Sequence, residues 1–433
     1  MIDTRNDYVA PEQLRRGLYV DLELGWMSHP FPKSSFKITS ERQIAIIRTL
    51  GLKRVRYLPA RSDPEELDED TPTRVGDEQS AVAESVAVAT VLAPEQGRRQ
   101  MHARQLQAQR ESLALCDQQF GAAIRRYQLV LGQLQAQPGQ AALQCQQMVA
   151  GIVDGVLGNG ESSIRLLSEG MGDRASMHPV NVTVLSLLLG RSLGLGSTEL
   201  QDLGCAAFLH DIGKTQLPER VRWQDNTLAA ADQKAYQDHV AHGVLLAQRL
   251  ELAPAAVRAI AEHHEMMDGG GFPRHLGADA ISQAGRILAL VNRYENMCNP
   301  GRPSAAVTPH DALSLIFSQL RAGFDGAVLA SFIRMMGVYP PGSIVQLSTD
   351  QFALVVSVNS ARPLKPRVIV HDAKVPREQA LMLDLEQHGA PGIRRSIKPA
   401  VLPKAAFDYL SPRARICYFF ERAVLPELAV TAP

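Results

Sequence analysis

One feature constrains this chain most: an ordered set of polar residues inside apolar helical runs. It comprises His178, the pair His210-Asp211, His239 and the pair His263-His264. The stretch "AAFLHDIGK", Ala206 to Lys214, shows the pattern, with an apolar run ending in adjacent imidazole and carboxylate, then a glycine and a lysine. Neighbours on a helix point about 100° apart, so burying both members of a pair takes two separate partners. Helices can deliver such residues inward from several directions, as di-metal helical bundles do. Imidazole and carboxylate suit iron, manganese and zinc. A carboxylate beside a histidine can bridge two ions while the imidazole holds one. Two such ions can clamp a phosphate and make a nucleophile of water at neutral pH. Each ligating histidine then needs a partner on its other ring nitrogen. "HD" alone is a weak signal, and the ordered set is a much stronger one. A lone histidine on a helix is ordinarily structural or solvated, which is the reading for His102, His242, His275, His310 and His388.

Composition narrows the class. A length of 433 residues, 45% hydrophobic and 21% charged, fits a soluble globular protein of about two to four domains. The formal net charge of zero gives no bulk pull toward nucleic acid polymers or acidic membranes. The first residues show no basic segment leading into an apolar core, and no apolar run is long enough for a membrane span. The five cysteines are scattered without a CxxC pair, which reads as reduced thiols. A cytoplasmic location is therefore expected.

Five segments follow from the local patterns. Residues 1–62 read as a small α+β domain: "GLYVDLEL" and "KRVRYLPA" alternate as strands, while "TSERQIAIIRTLG" is a helix with Ser40 and Gln43 as a capping box and Gly51 as its stop. Residues 63–92 are acidic, polar and proline-containing, the pattern of a disordered linker. Residues 93–158 read as a long helix, a break at Pro138-Gly139, and a second helix toward Gly158. The long helix either carries a homodimer contact or packs as a connector, and the sequence leaves both open. Residues 159–338 read as successive helices without a strand pattern. Residues 339–433 are β-rich, with "SIVQLS", "FALVVSV" and "PRVIV" as strands. The fold class is thus multidomain and mainly α, with a small α+β domain before the helices and a small β-rich segment after them. No internal repeat is evident.

In order and spacing, His178, "HDIGK", His239 with Gly243, and "HHEMMDGGGFP" resemble the HD-GYP family, a branch of the HD phosphohydrolase superfamily. The name-giving tripeptide is Gly271-Phe272-Pro273 here. "GLYVDLELGWMSHPF" resembles an uncharacterised domain often found ahead of HD-GYP domains, and "GVYPPGSIVQLS" a β segment that often follows them. The resemblance implies an all-α catalytic domain with two or three metals, commonly iron or manganese. It implies a phosphodiesterase that opens cyclic di-GMP to pGpG or degrades it to GMP. It implies His178, His210, Asp211, His239, His263, His264 and Asn292 as the ligand positions, with Asp211 the bridge. Lys214 would stabilise charge on the scissile phosphate. Phe272 and Arg302 would touch the substrate.

This chain departs from the family at four places. Asn292 stands where an aspartate is expected, keeping a carbonyl oxygen but losing a charge. Phe272 replaces the GYP tyrosine, so stacking survives and a phenol hydroxyl is lost. In "ENMCNPGRPSA", Arg302 persists, while Ser304 and Ala305 replace an aromatic and a basic residue. Arg174 takes the position of a glutamate that supports a third metal, which favours two. Glu265 and Asp268 read as residues that support the ligands or shape the loop. The leading expectation is an enzyme of bacterial second-messenger signalling. The alternative is a catalytically weak or inactive sensor or scaffold that binds nucleotide or signalling proteins.

Overall fold

The computed structural model describes residues 7–22, 35–49, 52, 54–63, 83–158, 162–222, 229–359 and 361–422. Gly51, the expected helix stop, and residues 64–82 of the acidic stretch lie outside these. The chain divides into two units, Met1–Ala87 and Val88–Pro433.

The first unit holds β1 (Asp7–Val9), β2 (Tyr19–Asp21), β3 (Ser35–Lys37), α1 (Glu41–Thr49) and β4 (Val55–Tyr57), with an antiparallel sheet in the order β1-β4-β2-β3. The capping box forms: Gln43 N donates to Ser40 Oγ at 3.4 Å, and Ser40 N to Gln43 Oε1 at 3.2 Å. Val20, Ile38, Ile44, Ile47 and Val55 close a small core of their own.

α2 spans Ala83–Gln133 and so begins earlier than residue 93, inside the expected linker. Its first turns, "AESVAVATVLA", are rich in alanine, the strongest helix former. α3 (Pro138–Leu157) starts with Pro138 in its first turn, where the missing N–H costs nothing, and ends at Gly158. Next come β5 (Ser162–Leu166), α4 (Arg174–Ser192), α5 (Ser197–Leu209), α6 (Ala230–Arg249), α7 (Pro254–Glu262), α8 (Gln283–Cys298), α9 (Pro309–Ser318) and α10 (Gly326–Met336). The chain then forms β6 (Ile344–Leu347), β7 (Phe352–Asn359), β8 (Arg367–Val370), β9 (Leu383–Asp384), β10 (Ile393–Ile397), α11 (Lys404–Leu410) and β11 (Tyr418–Arg422).

β5 corrects the expectation of an all-helical stretch from 159 to 338. It sits inside the second sheet, whose order is β10-β6-β7-β5-β11, with β8 paired to β7 and β9 to β8. Five residues, "SSIRL", carry little strand signal alone. Antiparallel pairing to β7 on one side and β11 on the other makes them a strand. The three expected strands appear as β6, β7 and β8. Leu354 and Val356 pack into the helical core, while Ala353, Val355 and Val358 pack into a second cluster with Val345, Leu347 and Val368. Burial of both faces explains the continuous apolar runs of β6 and β7.

α4 is the central helix. Every residue from Ser176 to Gly190 is buried, so it carries no polar stripe. It lies against α5 and α8. The polar residues within it, His178 and Asn181 among them, therefore need partners inside the protein.

Candidate metal centre

Four helices deliver the histidines. His178 lies in the second turn of α4. His210 caps the C-terminus of α5, and Asp211 leads into a short 3-10 turn, Ile212–Gln216. His239 projects from α6, and His263 caps the C-terminus of α7, with His264 next. The glycine of "HDIGK" explains how Asp211 reaches α6. A Cβ on Gly213 would stand 1.9 Å from His239 O and 2.5 Å from Gly243 N, so only glycine lets this turn lie on the helix. Gly271 works in the same way. Its Cβ would stand 2.4 Å from both His264 O and Met266 N, which seats the "DGGGFP" loop against the double histidine. The glycine lets this loop lie directly on the chain's own backbone.

The side chains converge in two groups that share Asp211: His178, His210 and Asp211, and then Asp211, His239, His263 and His264, with ligand atoms in each group within 4.8 Å of one another. Asp211 Oδ2 faces the first group, 3.4 Å from His178 Nε2 and 3.5 Å from His210 Nε2. Oδ1 faces the second, 3.6 Å from His239 Nε2 and 3.8 Å from His263 Nε2.

The ring nitrogens show what the groups fit. His210, His239 and His263 each place Nδ1 on the carbonyl three residues back, at 2.7, 2.6 and 2.6 Å, on Ala207, Tyr236 and Ile260. A nitrogen bound to a carbonyl must carry the proton, so each Nε2 presents a lone pair. His178 places Nδ1 on Glu295 Oε2. Yet His239 Nε2 and His263 Nε2 stand 3.2 Å apart, and His178 Nε2 and His210 Nε2 3.1 Å apart. Two lone pairs at such distances repel unless a cation or a shared proton lies between them. Both pairs are close enough for their two nitrogens to be held by one divalent ion. Asp211 Oδ1 and His264 Nε2 are buried without a hydrogen-bond partner, as atoms that take an ion would be. The donor set of imidazoles and one carboxylate suits a first-row divalent metal.

Burial, above all, keeps the imidazoles neutral. It lowers His210 to a pKa of about 4 and His239 and His263 to about 3, and takes His264 well below the ordinary value. Burial would also lower His178, but Glu295 and Asp211 outweigh it and raise the group. The excess of negative charge that favours a proton there equally favours a cation. Burial alone would raise Asp211; Lys214, His210 and His178 hold it well below its usual range. Lys214 donates to Asp211 Oδ2 at 2.6 Å and lies 5.3 Å from the centre of the Tyr236 ring, and Asp211 outweighs burial to keep it charged.

The other expected residues divide. Phe272 stacks on His264, centroids 4.3 Å apart and planes 21° from parallel. Asn292 is buried on α8, and its amide oxygen accepts from Asn296 Nδ2 at 2.7 Å. Arg174, in the glutamate's position, donates to Asn296 Oδ1 at 2.8 Å. Arg302 is exposed at the start of the turn Pro303–Ala305. Glu265 shapes the loop, accepting from Arg274 N and Leu276 N at 2.8 Å each, and Asp268 caps Gly270 N at 2.9 Å. His102, His242, His275, His310 and His388 are in neither group. Sequence reasoning missed Glu295 and Glu262. Glu262, buried at the end of α7, accepts from Ser282 N at 2.9 Å and so docks the start of α8. Glu295, buried on α8, carried no local signal, because its contact is with His178 on another helix.

Residues 161–328 match the family model described as HD domain, and residues 8–145 match Domain of unknown function (DUF3391). Residues 161–328 are thus similar to HD domains. Every ligand group described above lies within the matched residues 161–328, as does Glu295. A cyclic di-GMP phosphodiesterase of Pseudomonas aeruginosa is 25% identical over 87% of this chain and 88% of its own length. A 3'3'-cGAMP-specific phosphodiesterase of Vibrio cholerae is 29% identical over 38% of this chain and 35% of its own length. Among solved structures, a HDG"Y"P protein from Bdellovibrio bacteriovorus aligns with a TM-score of 0.42 at 14% identity, over 75% of this chain and 98% of that one. No helix among the described residues is long and apolar enough to cross a membrane, and all five cysteines are free and buried.

Proposed function

We propose that this chain is a metal-dependent phosphodiesterase of the HD-GYP type, hydrolysing cyclic di-GMP to pGpG or onward to GMP. One observation carries the reading: two clusters of inward lone pairs share the two oxygens of Asp211. The names of relatives that span most or part of the chain support the substrate class. In this reading His178 and His210 hold one divalent ion, His239, His263 and His264 a second, and Asp211 bridges them. Asn292 is a neutral and weak contributor to the first. Iron or manganese fits the donors. Such ions supply Lewis acidity toward the phosphate and an activated water nucleophile. The chain's own part is orientation and charge. Lys214, already beside Asp211, stabilises the negative charge that develops on the scissile phosphate. Phe272 holds His264 by stacking and offers its free edge to a base. Arg302 clamps a phosphate from the loop after α8. α2, whose Met101 and Leu115 are 63% and 54% exposed, is the surface for a homodimer or a signalling partner.

Purified protein loaded with Mn²⁺ or Fe²⁺ should convert cyclic di-GMP to a linear product, and convert 3'3'-cGAMP more slowly. Bound metal without a linear product from cyclic di-GMP would remove the reading. A faster reaction on 3'3'-cGAMP would move the substrate.

A second reading, a sensor or scaffold without turnover, is favoured by Asn292, whose oxygen is already engaged by Asn296. Asn292→Asp separates the two. Hydrolysis only in that variant identifies a degenerate member.

A further inference from the structure

Two asparagines beside the centre make matching hydrogen bonds. Asn181 Nδ2, on α4, donates to Glu295 Oε1 at 3.1 Å and to the Ile416 carbonyl at 2.9 Å. Asn299 Nδ2, just past α8, donates to the same two oxygens at 2.8 Å each. Their amide oxygens return to the backbone of the same segment. Tyr418 N donates to Asn181 Oδ1 at 3.0 Å, and Ile416 N to Asn299 Oδ1 at 2.8 Å. Arg174 Nε adds a bond to the Asn299 carbonyl at 2.7 Å.

The result is a closed ring of donors and acceptors in a buried place. Asn181, Glu295 and Asn299 are 0%, 1% and 2% exposed. Both N–H groups of each amide are used. With Oε1 held from two sides, the Glu295 carboxylate has one direction left for Oε2, onto His178 Nδ1. A buried network this complete is rigid, and it loses far more than one bond when a member is removed. Packing alone does not demand it, since apolar residues of similar shape fill such a place at little or no loss.

We infer that Asn181 and Asn299 are positioning residues of the metal centre. They aim Glu295 at His178 and make that aim depend on the backbone of Ile416–Tyr418, where the chain enters β11. The C-terminal strand is then a working part of the centre. The inference rests on the reading of His178 as a metal ligand.

The test uses the full chain, stripped of metal and titrated with Mn²⁺ by calorimetry, as wild type, Asn299→Ala, Asn181→Ala and Asn299→Ser. The last keeps a hydroxyl and covers a failure of the alanine variants to fold. In the variants one of two ions should bind about 10–100-fold more weakly while the other stays within about threefold. His264→Gln should weaken the opposite ion, which assigns the two steps of the titration. Two ions bound with wild-type affinity in a folded variant would overturn the inference, as would equal weakening of both, the mark of a merely structural role. A wild type that binds no ion fails earlier, at the metal reading itself, and is told apart by that result.

Discussion

The two halves of the centre are held in different ways. His239 and His263 take their orientation from carbonyls three residues back on their own helices, and the turn that carries Asp211 is pinned to α6 through Gly213. His178 takes its orientation from Glu295, on another helix and 117 residues away. Glu295 in turn depends on two asparagines and on the C-terminal strand. The first half is built largely from local contacts. In the second, His210 is likewise held by the Ala207 carbonyl on its own helix, but His178 depends on long-range contacts, and Arg174 and Asn292 meet beside it at Asn296. The lesson is that an intact motif does not make an intact site, because half of the site is aligned from elsewhere.

The largest effect should come from the residue common to both halves. Asp211→Ala removes both bridging oxygens and should lower kcat at least ~10³-fold while releasing both ions, read by hydrolysis rate and metal content. Loss of only one ion would mean that the halves are independent. Next, Gly213→Ala forces a Cβ into the α6 backbone and should destabilise the fold by at least about 3 kcal/mol, read as a lower urea midpoint. An unchanged midpoint would show that the turn does not lie on α6. Glu295→Gln keeps the shape but weakens the hold on His178. It should cost about 10–100-fold in affinity for one ion, with the other unchanged in the same titration. Asn292→Asp should act in the opposite direction, strengthening the same ion about tenfold, since Asn296 can donate to a carboxylate as well as to an amide. No gain there would mean that Asn292 does not reach the ion. The smallest effect is expected for Phe272→Tyr, which keeps the stack on His264 and adds one hydroxyl. A roughly threefold fall in KM is expected, the scale of one hydrogen bond.

This difference between the halves also marks what was legible in the sequence. His210-Asp211 and His263-His264 were readable because adjacent polar residues at helix ends cannot be buried idly, and His239 by its place in the ordered set; the carbonyl partners of His210, His239 and His263 lie one turn away. The capping box of α1, the break at Pro138 and strands β6 to β8 were readable for the same reason, as local signals. Glu295 was not, because its role is set by His178 on another helix, and nothing in "RYENM" marks that contact. Asn181 and Asn299 were hidden more deeply, since each is an ordinary asparagine until β11 is laid against it. β5 was hidden likewise, because five residues become a strand only between β7 and β11. The start of α2 was obscured by the acidic run before it, although its alanines carried the helical signal.

The central claim is a two-ion centre bridged by Asp211, and one preparation tests it. The purified full chain is loaded with Mn²⁺, freed of excess metal, and assayed for ions per chain and for product from cyclic di-GMP. The account predicts about two ions per chain and a linear product, with both lost in Asp211→Ala. Two ions that persist in Asp211→Ala, or hydrolysis undiminished after the metal is removed, would contradict it.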